Sequence, residues 1–206
     1  MRGPHLDRLP FLRGCENGRA RAVSVLLKDH VTLENNGQCS PLWLASRYGH
    51  HEVIEWLVAS GRDLGDIENK KGKDWDGKEY TALEIASKMN KTEVVPVLER
   101  FMANPTQTRY ELRVKLGVLD EVAAEVFALT VFLCDDLLQL KPALTATTTA
   151  SAAATRFFII ASKLPMELQM IMCHRVIGST KQNILQKDSE AAFKSLARIL
   201  LVPQSE

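Results

Sequence analysis

The stretch that decides the fold is residues 40–61, SPLWLASRYGHHEVIEWLVASG. Ser40 and Pro41 open a first helix, since a proline at the first helical position gives up only an N–H that has no partner there. Leu42 and Ala45, three residues apart, share the inward face of that helix. Gly49 turns the chain, and Val53, Ile54, Leu57 and Val58 recur with the period of a second amphipathic helix. One such helix-turn-helix unit cannot cover its own apolar faces, so it needs neighbours stacked against it.

Two further stretches carry the pattern. Upstream, at an offset of 31, LPFLRGCENGRARAVSVLLKD sets Pro10 on Pro41, Phe11 on Leu42 and Gly18 on Gly49, with Ala22, Val23, Leu26 and Leu27 on the second-helix stripe. Downstream, at an offset of 41, TALEIASKMNKTEVVPVLERF aligns Thr81, Leu83, Ala86, Asn90, Glu93, Val94, Val95 and Leu98. Asn90 replaces the turn glycine, and Asn tolerates left-handed backbone angles better than other residues with a side chain. The outer units depart from the pattern at Gly14, where the small inward alanine belongs, and at Pro96, expected inside a second helix at a cost of about 3 kcal/mol unless the helix bends. The longer second offset falls on residues 65–80, GDIENKKGKDWDGKEY, read as a long, charged and solvated loop that carries Trp75.

Three units at this spacing resemble ankyrin repeats, whose period is about 33 residues. The resemblance covers residues 9–104, with units at about 10–35, 40–64 and 81–102, and residues 65–80 as the projecting finger between the second and third. Departures remain: Gly37 comes one residue early for the G-x-T-P-L spacing, and Leu12, Trp43 and Glu84 stand where the signature has histidine. The implied fold is all-α, a short solenoid of about three units with a helical C-terminal cap. Residues 106–141 read as that cap, two helices joined near Gly117 with Asp120 as N-cap of the second, or as a fourth, degenerate repeat. The second helix looks apolar nearly all round through Val122, Val126, Leu129, Phe132 and Leu133. Residues 143–155, alanine and threonine without large apolar side chains, read as a linker. Residues 156–202 form a small helical segment with one stripe through Leu168, Ile171 and Met172 and another through Phe193, Leu196, Ala197 and Leu200 behind an Asp188 cap. The whole chain is similar to fungal ankyrin proteins with a helical extension.

Composition bounds the function. The 206 residues are 46% hydrophobic, and 26 basic residues against 25 acidic leave no global field for nucleic acid or an anionic membrane. Residues 122–134, the longest apolar run, are too short for the roughly 20 residues a bilayer needs. The four cysteines, Cys15, Cys39, Cys134 and Cys173, form no C-x-x-C pair and read as reduced, mostly buried thiols. With no secretory signal in the N-terminal residues, cytosol or nucleus is expected. Catalytic pairs fail on geometry: Cys173 and His174 are helix neighbours pointing about 100° apart. Asp135 and Asp136 belong to a solvated helix end, and His50 and His51 to turn contacts. No nucleotide, nucleophile-elbow or zinc signature is present, so neither enzyme nor cofactor nor metal is expected.

What remains is surface. The ankyrin resemblance implies binding through the finger and through first-helix positions just before the inter-helix turn: Glu16 and Asn17, Arg47 and Tyr48, Lys88 and Met89. Arg47, Tyr48 and Trp75 are the side-chain types that anchor interfaces. The expected partner is a protein, the chain acting as a monomer. A second reading rests on residues 164–171, LPMELQMI, which resemble the L-P-x-E-L-x-x-x-I opening of an F-box, the helical piece that docks a substrate receptor onto a ubiquitin ligase. There Leu164, Pro165, Leu168 and Ile171 would dock the adaptor.

Overall fold

In the computed structural model, which describes residues 10–28, 39–139 and 149–201, the chain divides into two units at residues 116 and 117. The first unit begins with three helix pairs: α1 Pro10–Glu16 and α2 Ala20–Lys28, α3 Pro41–Tyr48 and α4 His51–Ala59, α5 Ala82–Lys88 and α6 Val95–Ala103. Helix α3 packs between α1 and α5, and α4 packs against α2 and α6, so first and second helices form two rows. The turns within the pairs are left-handed at the three aligned positions, Gly18 (φ 69°), Gly49 (φ 85°) and Asn90 (φ 53°).

The middle pair supplies the best-buried stripe. Val53, Ile54, Leu57 and Val58 are each 1% exposed or less, and with Phe11, Val23, Leu42, Ala45, Ala86, Val94 and Leu98 they make one continuous core. In α2 only Ala20, Val23 and Leu27 are buried; Ala22 is exposed and Leu26 half-buried, so that stripe is narrower than expected. Ser40 accepts the Trp43 N–H as N-cap of α3. Thr81 and Glu84 form a reciprocal capping box on α5, and the Thr81 N–H holds the Glu84 carboxyl below its ordinary range.

Pro96 does not break a helix. Helix α6 starts at Val95, placing Pro96 in the first turn, where no intrahelical donor is lost, and residues 91–94 make a turn instead. The expected penalty is thereby avoided by a late start. The questioned spacing at Gly37 lies outside the described residues.

The expected pair of cap helices separates. Helix α7, Pro105–Lys115, belongs to the first unit and packs on α4 and α6. Arg113 Nε donates to the Ala59 carbonyl at 2.8 Å, and Lys115 reaches the buried Glu55 carboxylate at 2.6 Å. Helix α8, Val118–Cys134, belongs to the second unit, and Gly117 (φ 73°) is its N-cap. Asp120 sits in the first turn of α8, where its charge suits the positive helix end, and pairs with Lys181.

The second unit adds α9 Thr149–Ala161, α10 Met166–Val176 and α11 Gln186–Leu201. Helix α8 packs against α10 and α11, and on the α11 side Ala124 and Ala128 join Ala192 in a core edged by Ile184, Phe193 and Leu196, with Phe193 edge-on to Phe127 and Phe132. Val122, Val126, Leu129, Phe132 and Leu133 are only partly buried, so α8 is not covered all round. Residues 149–155 of the expected linker are helical, because alanine is the strongest helix former and needs no large side chain to be one; residues 143–148 lie outside the described residues. Asp188 falls in the first turn of α11 rather than at its cap.

Candidate functional site

Between the second and third pairs the chain forms a two-stranded antiparallel ribbon, β1 Gly72–Lys73 and β2 Glu79–Tyr80, closed by a turn at residues 74–77. Gly77 (φ 78°) completes the turn and donates its N–H to Asp74. The ribbon is seated on α3 by Trp43, 3% exposed, whose indole N–H donates to the Tyr80 carbonyl at 2.8 Å. A Cβ on Gly72 would lie 2.8 Å from two Trp43 ring atoms, so only glycine lets β1 cross the indole. Trp43, at the position where the ankyrin signature has histidine, thus ties a first helix to the following finger.

The turn is locked from below by charge. Asp74, expected in a solvated loop, is buried: its side chain is 4% exposed. Arg47 puts Nε at 2.8 Å and a terminal nitrogen at 2.7 Å on one Asp74 oxygen. Lys88 puts Nζ at 2.8 Å on the other and at 2.7 Å on Asp76, which also accepts the Tyr80 hydroxyl. The Lys88 ammonium is the main reason the Asp74 carboxyl lies below its ordinary range, and it brings Asp76 down to about 2; Asp74 in turn raises Lys88. A charge in a polar run becomes buried here because two cations from two different repeats meet it.

Above this network stands Trp75. It is 83% exposed, and the Arg47 guanidinium lies 5.4 Å from its ring. The same guanidinium lies 5.2 Å from the Tyr48 ring and 6.0 Å from Trp43, giving one cation three aromatic neighbours.

The other sequence-derived positions divide. Tyr48 is half-buried, with its hydroxyl 3.4 Å from Glu16 and its ring stacked 6.2 Å from His50. His50 donates Nε2–H to the Glu16 carbonyl and His51 meets Glu93 at 2.9 Å, so the two histidines serve different neighbours. Asn17 is exposed and Met89 half-buried at the C-terminal end of α5. Arg47 and Lys88 thus converge on the finger with Trp75, while Glu16 and Tyr48 link the first and second pairs.

In the second unit, Pro165 and Leu168 are exposed, Leu164 and Ile171 half-buried, and Met166 is 60% exposed. The Gln169 amide donates to the Leu164 carbonyl at 2.9 Å, closing the start of α10. Cys173 is fully buried, and burial pushes its thiol up to about 11. His174, 1% exposed, donates Nε2–H to the Asn183 carbonyl, so its ring is engaged away from Cys173. Cys15 is likewise buried and raised to about 12. Cys134 is exposed, against the expectation of mostly buried thiols.

No helix of the described residues is long and apolar enough to cross a membrane. Comparison with curated proteins and with solved structures returns no match. A family model described as ankyrin repeats (3 copies) matches residues 11–108, the span of the three helix pairs and the start of α7. With three such units built around left-handed turns, and a finger between the second and third, residues 11–108 of this chain are ankyrin repeats.

Proposed function

We propose that the chain is a non-enzymatic module that grips a partner protein through its first-helix row and the finger at residues 65–80. Ankyrin repeats are generally protein-interaction modules. The observation that carries the reading to this surface is Trp75: an indole 83% exposed, on a ribbon seated by Trp43 and braced by Arg47. A large aromatic side chain with only two torsions loses little entropy when a partner covers it, which is the profile of an interface anchor. The test is quantitative affinity capture with the full-length chain as bait, comparing wild type with Trp75→Ala. Loss of the same captured protein from the variant supports the reading; equal capture rejects it.

A second reading has one observation of its own. Pro165, Met166 and Leu168 leave an apolar first turn of α10 open to solvent, as an adaptor-docking segment of F-box type requires. Pull-down of the F-box partner subunit by wild type, and not by a Leu164→Ala, Pro165→Ala double variant, supports it. No capture by wild type removes it.

A further inference from the structure

The two cations at the aligned first-helix positions 47 and 88 are already paired within the protein. The Arg47 side chain is only 11% exposed, and its Nε and one terminal nitrogen are both on Asp74. Lys88 is 34% exposed and is shared between Asp74 and Asp76. Elsewhere on the finger, four lysines stand against Asp66, Glu68 and Glu79, which nearly balances the loop. The largest apolar group left facing solvent at the tip is the Trp75 indole.

We infer that this surface selects an uncharged, apolar cleft on the partner protein, into which the Trp75 indole inserts, and that Asp74 sets this preference without touching the partner. The inference rests on the interaction role proposed above and adds to it the chemical class of the partner. Asp74 acts as a positioning residue with two effects. It fixes the turn that displays Trp75, and together with Asp76 it balances the two cations beneath it. Removing its carboxylate leaves Arg47 and Lys88 with one acceptor, Asp76, between them, so the same face becomes cationic and favours carboxylates. An acidic partner would have been better served by Arg47 and Lys88 left free, because steering and pairing both need an uncompensated charge.

The test needs no natural partner. The full-length chain labelled with 5-fluorotryptophan carries three fluorines, at Trp43, Trp56 and Trp75, and a Trp75→Phe variant assigns the third. β-Cyclodextrin, an uncharged apolar cup that accepts an indole, and its carboxymethylated form are titrated separately at low ionic strength. In wild type only the Trp75 signal should move, with the two hosts binding within about threefold of each other, the scale of exposed charge contacts. In Asp74→Ala the carboxylated host should gain about fivefold or more over the neutral one, and the gain should disappear near 0.5 M salt, where screening is nearly complete. Asp74→Asn, closer in volume, serves if the alanine variant loses its helical circular dichroism. If neither folds, the wild-type comparison decides alone.

A wild-type preference of about tenfold for the carboxylated host overturns the inference, as does a Trp75 signal that neither host moves. So does binding of an oligothymidylate by wild type, because an indole beside free cations would take up single-stranded nucleic acid. None of these results depends on partner capture, so failure here is distinguishable from failure of the interaction role itself.

Discussion

Trp43 offers the sharpest test of how the finger is held. Replacing it with Phe removes the hydrogen bond to the Tyr80 carbonyl, worth about 1 kcal/mol net. It also removes on the order of 40 Å³ of side chain from a site only 3% exposed, which at about 24 cal/mol per Å³ of unfilled cavity adds roughly 1 kcal/mol. Trp43→Phe should therefore cost about 2 kcal/mol. Gly72→Ala drives a methyl to within 2.8 Å of the indole, an overpacking worth about 2 kcal/mol. The two changes are not independent, because the smaller ring vacates part of the space that the methyl enters. The double variant should lose about 1 kcal/mol less than the sum of the singles. Urea unfolding followed by circular dichroism measures all three, the midpoint moving while the slope stays constant. Strict additivity within about 0.3 kcal/mol would refute the claim that Gly72 is required by the Trp43 ring.

Three further outcomes follow from the same geometry. Gly18→Ala should destabilise by about 2–3 kcal/mol and Gly49→Ala by about 1 kcal/mol in thermal melts. Both turns have positive φ, but the new methyl at 18 meets a His50 ring held by the Glu16 carbonyl, whereas that at 49 meets the flexible Lys91 chain. Native labelling with a thiol reagent at pH 8 should modify Cys134 and leave Cys15 and Cys173 until unfolding, since a thiol at about 12 is ionised in only about one molecule in ten thousand. Acid should release the finger. Asp76 titrates at about 2 in the folded protein, below the ordinary carboxylate value, so its contribution is complete above about pH 4 and is lost as pH falls through about 2. The Trp75 signal should shift over that window while helical circular dichroism from the buried stripes changes less.

The repeat core could be read from the sequence because it rests on local rules: left-handed turns at Gly18, Gly49 and Asn90, and stripes at helical spacing through Val53, Ile54, Leu57 and Val58. The finger could be placed but not understood. Asp74 looks solvated in a run of charges, and its burial depends on Arg47 and Lys88, 27 and 14 residues away. The clue was available in part, since Arg47 and Lys88 occupy aligned positions in consecutive units. Trp43 likewise read as a lost signature residue until its indole met Tyr80. Pro96 misled because a proline cost assumes a fixed helix start, and α6 begins later. The alanine and threonine stretch misled for the opposite reason: absence of packing side chains says little about helix formation when alanine dominates. The separation of α7 from α8 turned on Gly117 and on which face of each helix found a partner, which periodicity alone does not specify.

The central claim, that recognition runs through the finger, is tested most directly by site-specific photocrosslinking in cells. A benzophenone amino acid placed at position 75 in the full-length chain should give a discrete adduct with a partner protein, and one placed at Val114, exposed on α7, should not. Adducts formed from Leu168 on α10, with none from position 75, would contradict the account and move recognition to the second unit.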